Sequence, residues 1–337
     1  MVSYNNDSFS KLQELVERAG GCAVMDGGLA TQLEFHGANL HDPLWSALCL
    51  ISMPELIYKV HWDYLEAGAE ILVTASYQAT IQGFESKGLS LAEGEALLKK
   101  SVSLACQARD SFWEKYQTCK EGETLNFVIR APALVAASIG SYGAFLADGS
   151  EYSGDYGPSM TLQKLKDFHR RRLQILANAG ADLLAIETIP SKIEAKALVE
   201  LLEEEDVKIP AWISFNSKDG VNAVSGDPFV ECISLVDKSE KVVAVGINCT
   251  PPRFVDGLII LARKITTKPI LVYPNSGESY DPILKEWLPS TGVSDVDYVS
   301  YVETWKATGA AVVGGCCRTT PCTIRAIKTA LNKISCA

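Results

Sequence analysis

Amphipathic stretches and short apolar runs alternate along this chain, joined by a hinge of small residues. Tyr64–Tyr77 (YLEAGAEILVTASY) passes from a helix-like segment through Ala-Gly-Ala into a branched apolar run. Ile175–Thr188 (ILANAGADLLAIET) and Trp305–Cys317 (WKATGAAVVGGCC) repeat the pattern, and Leu15–Gly28 (LVERAGGCAVMDGG) is a degenerate copy. The hinge glycine stands where a helix C-cap belongs, because glycine enters the left-handed region without penalty. The run after it has the length and branching of a strand buried on both faces. Eight such runs predict eight strands: Cys22–Asp26, Ile71–Ser76, Ala133–Ser138, Leu183–Glu187, Ala211–Phe215, Val242–Asn248, Pro269–Asn275 and Ala311–Gly315. Helices are expected between them, for example over Leu91–Gln107, Leu162–Asn178, Lys192–Glu204 and Arg253–Lys264. Strict alternation argues for a parallel sheet, and eight repeats argue for an α/β (β/α)8 TIM barrel. The rival, an open doubly wound sheet, lacks its glycine fingerprint: MDGGLATQL follows the first run where GxGxxG would be needed. No linker or low-complexity tract divides the chain, so residues 1–337 read as one domain. Two long connections, Gln78–Asn126 and Gly140–Leu162, read as insertions after strands two and three.

Composition narrows the classes. The chain has 337 residues, of which 47% are hydrophobic, and a net charge of -10. An acidic surface repels phosphate backbones, which argues against a nucleic-acid partner. No apolar run reaches the length of a membrane span. The N-terminal segment lacks both a signal core and an Arg-rich transit pattern, so the expected location is cytoplasmic. Ten cysteines in a chain this long are far below the density of a disulfide scaffold, and most should pack as small hydrophobes.

In a barrel, chemistry belongs at the C-terminal ends of the strands, and the polar residues gather there. The eight ends carry Asp26-Gly27-Gly28, Thr74-Ala75-Ser76-Tyr77, Ser138 to Tyr142, Glu187-Thr188, Asn216-Ser217, Asn248-Cys249-Thr250, Tyr273-Pro274-Asn275 and Gly315-Cys316-Cys317. Any one could be a cap or turn residue, and for Asn216 and Ser217 that is the stronger reading. The adjacent pair Cys316 and Cys317 admits three explanations: packing, a vicinal disulfide or a metal site. Strands six and eight flank strand seven, which brings Cys249 beside the pair and favours the metal. Three thiolates suit one zinc ion per chain and leave it one open position, the mark of a catalytic site. So electron-rich a set is poor at making hydroxide but keeps a coordinated thiol nucleophilic. The four histidines, His36, His41, His61 and His169, lie away from the strand ends. Gly314 and Gly315 are expected to clear room for metal and substrate. Asp26 and Glu187 offer carboxylates to an α-ammonium group, with N-capping and an internal ion pair as their plainer alternatives. Gly27, Gly28, Thr74, Ser76 and Asn275 complete the expected substrate pocket. Thr320 and Pro321 read as N-cap and first residue of a helix whose positive end suits an α-carboxylate. The loop Gly140–Gly157 mixes Tyr142, Phe145, Tyr152 and Tyr156 with Asp148, Glu151 and Asp155, as a lid over a sulfonium or ammonium donor would; an ordinary solvated loop is the plainer reading.

The stretches MDGGLATQLEFHGANLHDPLWSA, ASYQATIQGF, SYGAFLADGSEYSGDYG, VGINCTPPRF, YPNSGESYD and GGCCRTTP resemble the homocysteine S-methyltransferase family, most closely its plant-type members. The likeness spans about Gly20 to Leu331. It implies a (β/α)8 barrel and a zinc ion on Cys249, Cys316 and Cys317. It also implies that Asp26 and Glu187 bind the homocysteine amino group, and that a methyl passes from S-methylmethionine or S-adenosylmethionine to homocysteine, giving methionine. Many relatives read GGCCGT where this chain has Arg318. Similar plant proteins methylate selenocysteine, an acceptor the motifs do not separate from homocysteine. A zinc hydrolase and a cysteine-based zinc or redox sensor are the rivals from other classes. Oligomeric state is not legible.

Overall fold

The computed structural model describes residues 7–118, 129, 131–281, 286–288 and 292–335. Its eight-stranded parallel sheet comprises β1 (Ala23–Val24), β2 (Ile71–Val73), β3 (Leu134–Ile139), β4 (Leu183–Ile189), β5 (Ala211–Phe215), β6 (Val242–Asn248) and β7 (Ile270–Tyr273). The last barrel strand, β10 (Ala310–Val313), follows a small antiparallel hairpin of β8 (Ser279–Asp281) and β9 (Glu286–Leu288). The sheet order is β1-β10-β7-β6-β5-β4-β3-β2. A parallel bridge between Met25 and Ile71, with Asp26 N–H donating to Ile71 O at 3.0 Å, closes β1 against β2. The sheet is therefore a (β/α)8 barrel, and β7 lies between β6 and β10 as the strand order requires.

Two apolar layers hold it. Interior side chains Met25, Ile71, Ala136, Leu183, Trp212, Leu271 and Val312 form one cluster, joined by Leu12 and Leu15 of the N-terminal helix Asp7–Arg18. That helix closes the N-terminal end of the barrel, where Lys11 Nζ meets Asp182, just ahead of β4, at 2.7 Å. The second and larger layer lies between strands and outer helices, among them Leu91–Thr118, Leu162–Ala177, Lys192–Glu204 and Pro252–Arg263. With one end plugged, the open mouth is the end where the polar residues gather.

Several boundaries differ from those the sequence pattern predicts. β1 and β2 are shorter than the apolar runs, because the Asp26 carboxylate accepts from Val73 N–H at 2.8 Å. A side chain there replaces a strand acceptor and ends the ladder early. Among the described residues, the connection after β2 holds two helices, Ile81–Glu85 and Leu91–Thr118, the second an outer barrel helix extending beyond Gln107. Residues 119–128 of that connection lie outside the described ones. The hairpin after β7 is an element that the alternating pattern does not announce.

Candidate metal centre and substrate site

Cys249 follows the last residue of β6, and its N–H donates to Tyr273 O at 3.3 Å. On the other side of β7, Cys316 N–H donates to Pro274 O at 2.8 Å, and Cys317 O accepts from Ser276 N–H at 3.1 Å. The end of β7 thus pins both cysteine segments to one register. The Sγ atoms of Cys249, Cys316 and Cys317 all lie within 4.8 Å of one another. Cys249 and Cys317 are 3.8 Å apart and Cys316 and Cys317 3.9 Å. Sulfurs on a tetrahedral zinc at about 2.3 Å would be separated by about 3.8 Å. All three are free thiols, which removes the vicinal disulfide. Hydrogen bonds from Cys249 and Cys316 hold the Cys317 thiol well below its ordinary value, while sharing bonds with its neighbours pushes Cys316 well above. A thiolate already favoured, with two thiols beside it, is a donor set that fits a soft divalent cation.

Local backbone strain aims these side chains. Thr188, Cys249 and Arg318 have φ of 55°, 45° and 65°, in the left-handed region that non-glycine residues enter at a cost. Each follows directly on a site residue or is one. Asn248 secures the turn at Thr188 and ties it to β5: its Oδ1 accepts from Thr188 N–H at 2.9 Å and from Ser214 Oγ at 2.9 Å, and its Nδ2 donates to Thr188 Oγ1 at 2.7 Å. Replacing Asn248 by alanine orphans buried donors and an acceptor, each costing about 1–3 kcal/mol. The expected result is a Tm lower by several degrees, read by calorimetry, with metal content retained.

Glycines serve this packing more than they clear a substrate channel, which corrects one expectation. A Cβ on Gly314 would lie 2.8 Å from Asp26 O and from Met25 Cβ, and one on Gly315 would overlap the Thr319 side chain. A Cβ on Gly28 would come within 2.7 Å of Cys316 O, and one on Gly27 within 2.9 Å of Thr319 Oγ1. These four glycines let the turns after β1 and β10 interlock, which brings Asp26 beside the cysteines. Gly28 N–H donates to Thr319 Oγ1 at 3.1 Å and Tyr64 OH donates to Gly28 O at 3.0 Å.

Asp26 and Glu187 are 4% and 7% exposed, a burial that demands a partner. Burial first, then repulsion from Glu187, raises the Asp26 carboxyl well above its ordinary range. Burial pushes Glu187 to about 7, against hydrogen bonds from Ser138 and Tyr273. Ser138 Oγ donates to Glu187 Oε1 at 2.5 Å, and the Tyr273 hydroxyl accepts in turn from Trp212 Nε1 at 2.9 Å. Two carboxyls that repel each other and lack a cation are suited to an ammonium group.

The remaining expected pocket residues divide. Thr74 and Ser76 hydroxyls are 2.7 Å apart and bond the main chain of Ser138, at 3.0 and 2.8 Å, so they join β2 to β3. Asn275 Oδ1 accepts from Gly277 N–H at 2.9 Å and shapes the turn after β7. Arg318 pairs with Glu278 at 2.6 Å, which fastens the segment after Asn275 to the cysteine turn. The helix Pro321–Ser335 begins at Pro321 as its sequence predicts, and Thr323 Oγ1 accepts from Thr320 N–H at 3.2 Å across its first turn.

The loop Gly140–Gly157 is anchored from outside the mouth. Buried Glu194 accepts from Tyr142 N–H at 2.6 Å, from the Tyr156 hydroxyl at 2.6 Å and lies 2.8 Å from His169 Nε2. Tyr142, Phe145 and Tyr156 belong to one aromatic cluster: Tyr142 packs on Tyr156 at 5.2 Å, and Phe168 packs on Tyr142 and Phe145 at 4.8 and 5.2 Å. Tyr152 is within reach of the charges of Cys317 and Cys249. Tyr77 is acted on by Glu151 and Cys249. Three of the four aromatics in the loop are thus engaged in packing, where the sequence pattern suggested one cage. Asn216, which the sequence favours as a turn residue, instead donates from Nδ2 to Glu151 O at 2.8 Å. Glu194 and Glu278 are functional supports the sequence reading did not find, since both sit in helix or loop contexts with no spacing signal.

The protein is thus a barrel with three converging thiols at its mouth that could hold a metal ion, and two buried carboxyls, Asp26 and Glu187, just after β1 and in β4. Residues 23–331 match the homocysteine S-methyltransferase family model. The chain is 64% identical to homocysteine S-methyltransferase 2 of Arabidopsis thaliana, over 98% of this chain and 99% of that one. It is 61% identical to a selenocysteine Se-methyltransferase of Brassica oleracea var. italica, over 97% and 94%. The metallated form of the Escherichia coli homocysteine methyltransferase MmuM superposes with a TM-score of 0.78 at 40% identity, covering 92% of this chain and 96% of that one. The chain belongs to the homocysteine S-methyltransferase family and is a methyltransferase.

Proposed function

We propose that the protein transfers a methyl group from S-methylmethionine to the thiol of L-homocysteine, with zinc held by Cys249, Cys316 and Cys317. S-adenosylmethionine is the alternative donor. The observation that carries this reading is three converging thiols beside two cation-deficient buried carboxyls. Asp26 and Glu187 bind and orient the substrate ammonium, and Ser138 and Tyr273 hold Glu187 in place for it. Zinc, when bound, supplies the charge that keeps the acceptor thiol deprotonated at neutral pH. The acceptor sulfur attacks the donor methyl in line; a carbon–sulfur bond forms as the donor's carbon–sulfur bond breaks. The departing sulfur leaves neutral, so the site needs no acid to protonate it. Burial of Asp26, Glu187 and Cys249 limits the water that could compete.

The deciding experiment offers zinc-loaded protein S-methylmethionine or S-adenosylmethionine against homocysteine or selenocysteine. Methionine formed from S-methylmethionine and homocysteine, and lost on chelation, is the expected result. Preferred methylation of selenocysteine would select the second reading, which the Brassica relative favours. Zinc-dependent hydrolysis without a thiol acceptor would overturn both.

A further inference from the structure

Glu151 has a fixed main chain and a carboxylate with one unmatched oxygen. It lies in the short turn Ser150–Tyr152, closed by Tyr152 N–H to Gly149 O at 2.9 Å and Gly154 N–H to Ser150 O at 2.8 Å. Asn216 holds its carbonyl, and a Cβ on Gly143 would lie 2.8 Å from its Cα. Yet Glu151 Oε2 is shut away from solvent with no hydrogen-bond partner. Asn216 Oδ1 and Gln78 Oε1 are buried and unpaired as well. Asn216 bonds Glu151, and Gln78 bonds Ala144 of the same lid, so three unmatched acceptor oxygens attend this loop. Burial pushes the Glu151 carboxyl up to about 7 against a hydrogen bond from its own main-chain N–H, and the nearby Asp148 and Cys317, whose charges repel it, add to the rise. Tyr77 and Tyr152 are the aromatic groups within its electrostatic reach. A carboxylate oxygen shut away without a partner is costly, and a carboxylate near aromatic rings is well matched by a cation.

Asp26 and Glu187 already answer the ammonium of the acceptor, so this third carboxylate calls for a second cation. We propose that Glu151 is the counter-charge of the sulfonium centre of the methyl donor and restricts the donor to cations; this rests on the methyl-transfer reading above.

The chemistry fixes how such a residue must behave. Transfer breaks the bond between the methyl carbon and the positive sulfur, and forms one to the acceptor thiolate. The electron pair of the broken bond stays on the donor sulfur, so both charges vanish and no proton moves. A fixed carboxylate therefore interacts more strongly with the bound donor than with the transition state, where the positive charge is already dispersing. It contributes to binding the donor and not to the rate of the bound complex.

The test compares wild type, Glu151→Gln and Glu151→Asp, all zinc-loaded, with S-methylmethionine and homocysteine. Trimethylsulfonium, which carries no ammonium, is the inhibitor. Glu151→Gln should raise the donor KM about tenfold or more and weaken trimethylsulfonium inhibition in step, while kcat stays within about threefold. Homocysteine KM, metal content and Tm should not move, and Glu151→Asp should recover part of the donor affinity. An unchanged donor KM, or a rise in homocysteine KM instead, overturns the assignment. A higher donor KM with undiminished trimethylsulfonium inhibition also overturns it, because the carboxylate would then meet the donor's ammonium. Failure of the parent reading looks different: wild type itself would transfer no methyl from any sulfonium.

Discussion

Cys316→Ser should remove both bound zinc and methyl transfer. The hydroxyl is a harder donor that stays protonated at neutral pH, so the site drops from three anionic sulfurs to two. The segment itself is held by main-chain bonds, Cys316 N–H to Pro274 O at 2.8 Å and Ser276 N–H to Cys317 O at 3.1 Å, which serine preserves. The fold should therefore survive while metal content falls below about one tenth per chain and kcat/KM falls by about 10³-fold or more. Cys249→Ser and Cys317→Ser should behave alike, because each removes one corner of the same triangle. Cys322→Ser is the control: that thiol is exposed on the helix Pro321–Ser335, and its loss should leave zinc and turnover unchanged. Elemental analysis beside an activity assay reads both effects. Full turnover by a zinc-free preparation would sink the mechanism.

Glu187→Ala and Asp26→Ala should each raise the homocysteine KM by about 10- to 100-fold with zinc retained. The two need not be equal. Asp26 also accepts from Val73 N–H at the β1–β2 seam, so its loss costs stability as well as affinity. Glu187 is bonded by side chains alone, Ser138 and Tyr273, and makes the cleaner probe. Its charge state adds a pH signature. With the carboxyl raised from an ordinary 4.5 to about 7, the substrate-free protein binds that proton more tightly folded than unfolded. Its contribution to stability is present below the ordinary value and is lost as pH rises through about 7. A bound ammonium reverses the cost. The rise in Tm that homocysteine produces in zinc-loaded protein should thus grow between about pH 5.5 and 8. In Glu187→Gln that growth should flatten, and an identical profile in the variant would take Glu187 out of the site.

Fold and metal cluster were legible for a common reason: both follow from order along the chain. Ala-Gly-Ala hinges mark where helices stop, and the apolar runs after them mark strands. Closing eight of these in sequence order leaves β6 and β10 on either side of β7, so Cys249 must meet Cys316 and Cys317. The supports were not legible, because they join residues far apart in sequence through single contacts. Glu194 to Tyr156, Arg318 to Glu278 and Asn248 to Thr188 leave no periodicity to read. Composition misled where a residue type had two uses. The loop's aromatics looked like one cation cage, yet Tyr142 and Phe145 pack on Phe168 and Tyr156 packs on Tyr142. Gly314 and Gly315 looked like space for substrate, yet Asp26 O and Thr319 fill it.

The sequence by itself determined the barrel, its family, the cysteine trio and the two carboxylates, since hydrophobic period and strand order are linear properties. Tertiary structure alone decided how those groups are aimed and which are left without partners. Left-handed turns at Thr188, Cys249 and Arg318 depend on bonds from neighbouring strands and loops. The unpaired oxygen of Glu151 belongs to a residue whose main chain is fixed by Asn216 and by its close approach to Gly143. Burial and the absence of a partner belong to the assembled surroundings of a side chain, and no spacing along the chain encodes them.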